Sequence, residues 1–349
     1  MEYLIDRYYM QKAVNAANDA LGSTYPNPAV GCVLVLQEKI INISATQKGG
    51  RPHAEELAIS NTKGNLDDVT LYVTLEPCCI TGKKKISCVE RIIKAGIKEV
   101  VIGVKDPNPL INGNSIELLR NSGIEVRLEI LKNKCEELIK GFKKRILENK
   151  PYVTLKLATS LDGKIALHNK KSKWITNEEQ RSMAHKLRGQ SDAILTGIGT
   201  VEADDPLLTC RTTSISHTPI RIILDSDLRI SENSQILKTS KQFRTIIFTN
   251  KEISSRNISN IEIIKVNRDN DGLCLNEVLD KIADMGVNTV LIEGGNTINT
   301  SFVKRNLVDE IAIFKSNKII GNDGISVFDD LNIENLDHCP KFKTKIYTE

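Results

Sequence analysis

Helix-like and strand-like segments alternate along this chain, and the alternation limits it to a small set of folds. Near the start, apolar residues recur at helical spacing over 3–21. Runs rich in β-forming residues occupy 30–36, 69–75 and 99–104. When strands alternate with helices, the strands usually lie in one largely parallel sheet that the helices cover. We therefore predict a layered α/β architecture.

The same alternation continues along the rest of the chain. Gly96 follows a helical segment and suits the left-handed geometry that ends many helices. The stretch 230–275 is rich in Ser, Asn and Lys and gives no clear register. Further helices are predicted over 53–59, 89–95, 115–120 and 134–146. Further strands are predicted over 125–130, 152–158, 193–196, 220–224, 245–248, 289–292 and 309–314.

Length and a proline together indicate two domains. A chain of 349 residues exceeds one typical core and favours about two domains. Pro151 disfavours helix in the residue before it, and a strand-like run begins directly after it. We place the boundary within 147–151 and predict domains over 1–148 and 149–349.

Composition and charge exclude several classes of protein. Hydrophobic residues make up 40% and charged residues 26%, as in ordinary soluble proteins, and the net charge of +4 is too small to indicate a nucleic-acid-binding stripe. No apolar run approaches the ~20 residues of a spanning helix, and Met1–Asp6 lacks the features of a secretory signal. Eight irregularly spaced cysteines are typical of reduced thiols. The sequence therefore predicts a cytoplasmic protein with no nucleic-acid or membrane partner.

One imidazole and two thiols are spaced as ligands for a metal ion. His53 begins a predicted helix, and Cys78 and Cys88 bracket the start of the next one. Three such ligands leave the fourth position of Zn²⁺ open for water, whose pKa then falls to about 7. Glu55 lies two residues from the imidazole and is free to carry protons. We predict a zinc site with Glu55 as the catalytic residue, and a purely structural zinc is the alternative.

Two neighbouring features are open to more than one interpretation. Cys79 could also bind a metal, but adjacent residues rarely point at one ion, so we interpret it as a packed residue beside the site. Lys83–Lys85 form either a solvated loop or a clamp for an anion.

The ligand pattern matches a known signature. His-x-Glu followed by Pro-Cys and a later Cys is typical of zinc nucleobase deaminases, although ten positions (88 minus 78) separate Cys78 from Cys88 here rather than three. Together with the segments 24–31 (TYPNPAVG) and 106–109 (DPNP), this pattern resembles the deaminase half of the bifunctional RibD family.

The resemblance implies a fold and a reaction for the first half. The fold is a cytidine-deaminase-like αβα layered domain, and the reaction is zinc-dependent hydrolytic deamination of a diaminohydroxyphosphoribosylaminopyrimidine. Asn27 is expected to contact that substrate. The family usually has Ser-His after the first cysteine and Pro-Pro before the second, where this chain has Cys79-Ile80 and Ile86-Ser87.

The second half contains candidate cofactor motifs. The segment 196–200 (TGIGT) follows a strand but lacks the third glycine of a dinucleotide-binding fingerprint. The segment 293–297 (EGGNT) puts two glycines at the end of a strand and before a helix, whose N-terminus can bind phosphate, although an ordinary turn has the same pattern. Thr176 and Glu179 are spaced as a capping box. Trp174, the single tryptophan, is either a core residue or part of a site.

Four segments of this half resemble the RibD reductase. They are 172–176 (SKWIT), Leu187-Arg188, 203–209 (ADDPLLT) and 293–295 (EGG). The resemblance to the family therefore covers nearly the whole chain. It implies a dihydrofolate-reductase-like α/β fold and NADPH-dependent reduction of a ribosyl to a ribityl chain. The implied cofactor-binding residues are Ala158, Trp174, Thr200, Asp204, Ser226, Gly295, Asn296, Thr297, Ile298, Asn299, Thr300 and Ser301. The implied substrate-binding residues are Ser172, Arg188, Leu208, Arg211 and Glu293.

The expected partner is a small-molecule pyrimidine ribonucleotide, and we expect a homo-oligomer. The sequence does not decide between NADPH and NADH as the hydride donor. A nucleic-acid deaminase of the tRNA-editing kind would share the zinc signature and could place Lys83–Lys85 on phosphates. It would not need the second domain, and the charge of +4 gives it little support.

Overall fold

A computed structural model provides the structure of this protein. The residues that it describes are 2–80, 86–211, 217–252, 260–270 and 272–344. Lys83–Lys85 lie outside the described residues, so the two interpretations of that loop stay open. Within the described part of the chain, no helix is both long and apolar enough to cross a membrane.

The chain divides into two compact units. The first unit comprises Met1–Pro151 together with Ala283–Asn288. The second unit comprises Tyr152–Ile282 together with Thr289–Glu349.

The first unit contains a five-stranded sheet in the order β2-β1-β3-β4-β5. Its strands are β1 (Gly31–Leu36), β2 (Lys39–Ala45), β3 (Val69–Leu75), β4 (Glu99–Val104) and β5 (Glu125–Leu128). Its helices are α1 (Glu2–Ala20), α2 (Ala54–Ser60), α3 (Cys88–Lys94), α4 (Asn114–Asn121), α5 (Lys132–Leu138) and α6 (Lys140–Glu148).

The expectation of a largely parallel sheet is wrong for this unit. β3, β4 and β5 are parallel, but β1 runs antiparallel to both β2 and β3. A two-residue turn causes the reversal, because Gln37 and Glu38 lie between β1 and β2 with φ of 48° and 62°. The sequence concealed this hairpin, since neither turn residue is Gly, Asn or Asp and β2 is an edge strand with only one fully buried residue.

Helix α1 packs directly on the sheet of this unit. Met10, Ala13 and Ala17 have no exposed surface, as their helical spacing predicts. Gly31 at the start of β1 permits the close approach, because a Cβ atom there would lie 1.9 Å from the carbonyl oxygen of Ala13. The resulting core fixes the ends of β1 and β3, and the segments that follow β3 carry the candidate metal ligands.

The second half of the chain forms a seven-stranded sheet in the order β11-β10-β9-β8-β14-β6-β15, in which every neighbouring pair is parallel. The strands are β6 (Tyr152–Thr159), β7 (Lys164–Ala166), β8 (Ala193–Gly197), β9 (Ile220–Leu224), β10 (Thr245–Thr249), β11 (Glu262–Lys265), β12 (Arg268–Asp269), β13 (Gly272–Leu273), β14 (Thr289–Ile292), β15 (Glu310–Lys315) and β16 (Ile325–Ser326). The helices are α7 (Glu178–Gly189), α8 (Ile198–Asp204), α9 (Gln235–Lys238), α10 (Leu275–Asp284) and α11 (Asn296–Lys304).

All six strands predicted for this half belong to the large sheet. Because its strands are parallel, their carboxyl ends lie along one edge, where ligands bind in open α/β sheets. The segments that follow β8, β9 and β14 all begin at this edge.

Three helix ends test the finer predictions. Gly96 has φ of 77°, so the predicted left-handed residue after α3 is confirmed. The helix predicted over 134–146 is wrong in extent, because Ile139 (φ −106°) separates α5 from α6. The predicted Thr176–Glu179 capping box is wrong by one residue: Asn177 caps α7 and exchanges hydrogen bonds with Gln180.

Candidate active sites

Three side chains meet at the ends of two helices in the first unit. His53 is the N-cap of α2, Cys88 is the first residue of α3, and Cys78 follows β3. The His53 Nδ1 atom lies 3.3 Å from the Cys88 Sγ and 3.6 Å from the Cys78 Sγ. Their ligand atoms all lie within 4.8 Å of one another. The structure therefore brings together the three predicted metal ligands.

Local hydrogen bonds hold the two cysteines near each other. The backbone N–H of Val89 donates to the Cys78 carbonyl at 3.2 Å. Ser87 caps α3 reciprocally with Glu90: the Ser87 Oγ accepts from the Glu90 N–H at 3.2 Å, and the Glu90 carboxylate accepts from the Ser87 N–H at 2.9 Å. The capping box fixes the start of α3 and with it the position of the Cys88 thiol.

The donor set fits Zn²⁺. Zinc binds sulfur at about 2.3 Å and imidazole nitrogen at about 2.0 Å, so its ligand atoms lie roughly 3–4 Å apart. A hydrogen bond from the Cys88 thiol lowers the pKa of Cys78 well below its usual value, and the same hydrogen bond together with burial raises the pKa of Cys88. A bound cation would favour the thiolate form of both residues. Among the described residues, no other three His, Cys, Asp or Glu side chains bring their ligand atoms within 4.8 Å of one another.

Glu55 lies beside this cluster without belonging to it. Glu55 is only 3% exposed, and burial raises the pKa of its carboxyl group. A carboxyl group in this position, beside the metal ligands but not among them, is placed to accept a proton from a water molecule and to pass it on.

Asn27 also reaches the cluster. Its Nδ2 atom lies 3.3 Å from His53 Nε2 and donates to the Gly50 carbonyl at 2.8 Å. The predicted substrate contact thus lies against the imidazole, on the side opposite the thiols. The Asn27 amide contacts the Gly50 carbonyl and the His53 imidazole, and it thereby restrains the orientation of the imidazole ring.

Glu76 organises the loop beside the site, and sequence reasoning missed it. Its carboxylate accepts from the backbone N–H of Asp106 at 3.1 Å and of Gly113 at 2.9 Å. These bonds tie the Asp-Pro-Asn-Pro loop to the segment that carries Cys78. The signal was present in the sequence, because a carboxylate between a buried strand and Pro77 needs partners from another segment.

Cys79 does not join the metal cluster. Its thiol lies 3.9 Å from the Leu110 carbonyl oxygen and packs at the edge of the hydrophobic core. The structure therefore places it as a packed residue beside the site.

A cavity of about 690 Å³ lies in the second unit, at the carboxyl ends of β6, β8, β9 and β14. Most of the residues that the resemblance assigned to cofactor and substrate line it. They are Ala158, Ser172, Arg188, Thr200, Asp204, Leu208, Ser226, Glu293, Gly295, Asn296, Thr297, Ile298, Asn299 and Ser301.

Three of the assigned residues do not line the cavity. Thr300 instead donates to the Asn296 carbonyl and accepts from the Asp329 N–H, both at 2.7 Å. Arg211 is exposed. Trp174 is 62% exposed, with the Arg181 guanidinium 4.7 Å from the centre of its ring, so its interpretation as a core residue is wrong.

A charged cluster lies in the cavity at the end of β14. Arg188 holds Glu293 with two bonds, Nε to Oε1 at 2.6 Å and Nη2 to Oε2 at 2.8 Å. Lys156 Nζ lies 3.7 Å from the same carboxylate. Burial opposes ionisation of Glu293, but the two cations outweigh it and lower its pKa to about 2. Sequence reasoning missed Lys156. Its charge could have indicated a site, because it lies in a strand whose alternate residues are buried.

The glycines around the cavity allow close packing of α11. A Cβ atom on Gly197 would lie 2.8 Å from Ile298, and one on Gly294 would lie 2.9 Å from it. Gly295, by contrast, has open space where a Cβ would be. The side-chain oxygens of Thr196 and Asn299 are buried without a hydrogen-bond partner among the described residues. An open backbone at the start of α11, whose first N–H groups have no partner within the helix, fits a phosphate-containing cofactor such as NADPH.

Comparison with known proteins accounts for both halves. Residues 151–348 match the family model of the RibD C-terminal domain, and residues 4–104 match that of the cytidine and deoxycytidylate deaminase zinc-binding region.

Full-length relatives match as well. The riboflavin biosynthesis protein RibD of Aquifex aeolicus is 38% identical over 98% of this chain and 94% of its own length. That of Escherichia coli is 33% identical over 97% and 95%. The crystal structure of a diaminohydroxyphosphoribosylaminopyrimidine deaminase/5-amino-6-(5-phosphoribosylamino)uracil reductase from Thermotoga maritima superposes with a TM-score of 0.88, at 35% identity, over 98% of this chain and 95% of that one.

Proposed function

The chain belongs to the RibD family of bifunctional deaminase–reductases in riboflavin biosynthesis, and we propose that its domain over 1–148 deaminates a pyrimidine ribonucleotide and its domain over 149–349 reduces the product. The substrate named for the Thermotoga maritima relative, a diaminohydroxyphosphoribosylaminopyrimidine, is the one we propose for this chain. The cofactors are Zn²⁺ for the first reaction and NADPH for the second.

In the first domain, His53, Cys78 and Cys88 hold the metal, and Glu55 moves the protons. Zinc bound there supplies a Lewis acid that makes water nucleophilic near neutral pH. Water adds to the amino-bearing ring carbon, and the carbon–nitrogen bond then breaks to release ammonia. Glu55 takes one proton from the water and gives it to a ring nitrogen. It then takes the second proton from the added hydroxyl group and gives it to the departing amine, so that a carbonyl group and ammonia form. Its burial next to the metal ligands supports this role.

In the second domain, the cavity at the strand ends binds the cofactor and the sugar side by side. NADPH bound there would supply a hydride for the ribose anomeric carbon. We propose that the bond from that carbon to the ring oxygen breaks and that the oxygen takes up a proton from water, which leaves the open ribityl chain. Glu293 and Lys156 would orient the substrate near the end of β14. Because Glu293 already occupies the guanidinium fork of Arg188, a substrate phosphate would have to share that fork.

The observation that carries the first assignment is the convergence of one imidazole and two thiols beside a buried carboxyl group. The test is a two-step assay on protein of measured zinc content. Ammonia release from the pyrimidine nucleotide should be insensitive to added RNA, and NADPH oxidation should begin only once the deaminated product is present. Ammonia release that requires RNA would instead favour a nucleic-acid deaminase, and zinc binding without ammonia release would favour a structural metal.

Assembly and location remain predictions. We propose a homo-oligomer that acts in the cytoplasm on a small-molecule substrate, without nucleic acid or membrane. The modest net charge of +4 supports the proposal that the protein does not act on nucleic acid. Light scattering on the purified protein would measure the oligomeric state.

A further inference from the structure

The loop over 24–27 touches the metal ligand His53 at one of its ends. Asn27 Nδ2 lies 3.3 Å from the His53 Nε2 atom. Two further bonds close the loop: the Asn27 N–H donates to the Thr24 carbonyl at 3.1 Å, and the Thr24 hydroxyl donates to the Asn27 carbonyl at 3.0 Å. Because the loop is closed in this way, a shift of its exposed residue, Pro26, would also move Asn27.

A turn from much later in the sequence packs against this loop. Ala283–Asn288 belongs to the first unit, although it falls within 151–348, the match to the RibD C-terminal domain. The Gly286 N–H donates to the Ala283 carbonyl at 2.8 Å, and Gly286 has φ of 83°, which glycine adopts without strain. A Cβ atom on Gly286 would lie 2.5 Å from the Pro26 Cβ, so the turn touches the proline ring directly.

Arg145 links the turn to the loop through two short hydrogen bonds. Its Nε donates to the Asn288 Oδ1 at 2.7 Å, and its Nη2 donates to the Pro26 carbonyl at 2.7 Å. Asn288 Nδ2 lies 3.5 Å from the same carbonyl, so the two side chains share one acceptor. Arg145 lies on α6, where its Cζ is 5.7 Å from the centre of the Phe142 ring. The planar guanidinium is thereby held between helix, turn and loop, which fixes its direction.

Two features indicate that a shift of Pro26 would reach the Asn27 side chain. The Pro26 carbonyl and the Asn27 N–H belong to one planar peptide unit, so the bond from Arg145 sets the orientation of that plane. The Asn27 side chain also has little space to adjust, because a Cβ atom on Gly50 would lie 2.8 Å from both its Cβ and its Nδ2. The Arg145 contact therefore bears on the side chain that we expect to meet the substrate.

We propose that Arg145 is a positioning residue of the deaminase, which holds Pro26 and through it keeps the Asn27 amide in the orientation that contacts the substrate. Asn288 supports Arg145 in this role. The proposal rests on the proposed deaminase function and adds the residues that orient one of its substrate contacts. It follows that the deaminase depends on a turn in the part of the sequence that matches the reductase family model.

Kinetics of full-length variants test the proposal. We expect Arg145→Ala to raise the KM of ammonia release by about tenfold and to change kcat by less than about threefold, because it weakens substrate binding without removing a group that moves protons. Arg145→Lys keeps the charge and one donor, so it should recover part of the lost affinity. The matched control is Arg120→Ala. Arg120 lies in the same unit and donates to the Val126 carbonyl at 3.2 Å, so its loss should leave KM unchanged.

Calorimetric titration gives a second measure that needs no turnover. Glu55→Gln should bind the pyrimidine nucleotide without converting it, so the Kd can be measured directly in that background. Adding Arg145→Ala should raise this Kd by about tenfold. Adding Asn288→Ala as well should raise it little further, because both side chains act on the same carbonyl.

The outcomes separate this proposal from the one it rests on. If Arg145→Ala leaves KM and Kd unchanged, or if Arg120→Ala raises them equally, Arg145 does not position Asn27. Loss of zinc from Arg145→Ala would show instead that Arg145 stabilises the whole unit. If the unchanged protein with zinc bound releases no ammonia, and Glu55→Gln binds no nucleotide, the deaminase assignment fails and takes this proposal with it.

Discussion

Glu55 has an environment that separates its role from that of its neighbours. It is buried within two residues of a metal ligand, yet it lies outside the cluster that could hold the ion. Removing its charge should therefore affect proton transfer and spare metal binding.

We predict that Glu55→Gln retains zinc but lowers the rate of ammonia release by roughly 10²–10⁴-fold, the range typical of a lost general acid–base group. Zinc content by mass spectrometry and ammonia release by a coupled assay measure the two effects. NADPH oxidation on deaminated product is the internal control and should not change. Undiminished deamination would remove Glu55 from the proton-transfer role.

Sequence reasoning found the residues whose chemistry is unusual and missed those whose role depends on their neighbours. His53, Cys78 and Cys88 were predictable because few functions other than metal binding require that set at that spacing. Glu76 and Lys156 were missed, since a single carboxylate or ammonium acquires its role from a segment 30 or more residues away. Their partners come from the fold and not from the local pattern.

The start of α3 is the element on which the metal cluster depends. Its capping box fixes the backbone at Ser87 and so the direction of the neighbouring Cys88 thiol. Helix α7 has a capping box of the same kind, Asn177 with Gln180, which touches none of the metal ligands. The two caps form a matched pair for experiment.

We predict that Ser87→Ala and Asn177→Ala each lower the free energy of unfolding of their unit by about 1 kcal/mol, the usual cost of losing an N-cap. Only Ser87→Ala should weaken zinc retention against a competing chelator. Urea unfolding and chelator competition measure these effects. Equal zinc retention in the two variants would mean that the cap contributes stability alone.

Elements with a strong periodic pattern matched the sequence-based prediction. Four strands, over 69–75, 99–104, 220–224 and 289–292, have the predicted bounds. The hairpin strand β2 was missed because it lies at the sheet edge with only one fully buried residue. The break between α5 and α6 was missed because Ile139 is buried and apolar, as an uninterrupted helix would require. In both cases tertiary packing outweighs local preference.

At the scale of the whole molecule, each candidate site is built from the residues of one unit. The metal cluster lies in the unit that contains Met1–Pro151, and every residue that lines the large cavity lies in the other. The two activities should therefore respond separately to loss of the metal.

We predict that chelation of zinc abolishes ammonia release and leaves NADPH oxidation on pre-deaminated product within about twofold of its original rate, since no step of the reduction uses the metal. Adding zinc back should restore the first activity. Simultaneous loss of both activities, with unfolding detected by circular dichroism, would show instead that the metal stabilises the whole chain.

The turn between β1 and β2 is a place where substitution should stabilise the protein. Gln37 and Glu38 both hold left-handed backbone angles, at a cost of roughly 1 kcal/mol per residue compared with glycine. Asn-Gly is the pair best suited to such a turn, and neither present residue is a metal ligand or lines the cavity. Introducing that pair should raise the melting temperature at no catalytic expense. The added stability of that variant could then offset a destabilising substitution elsewhere in the same unit.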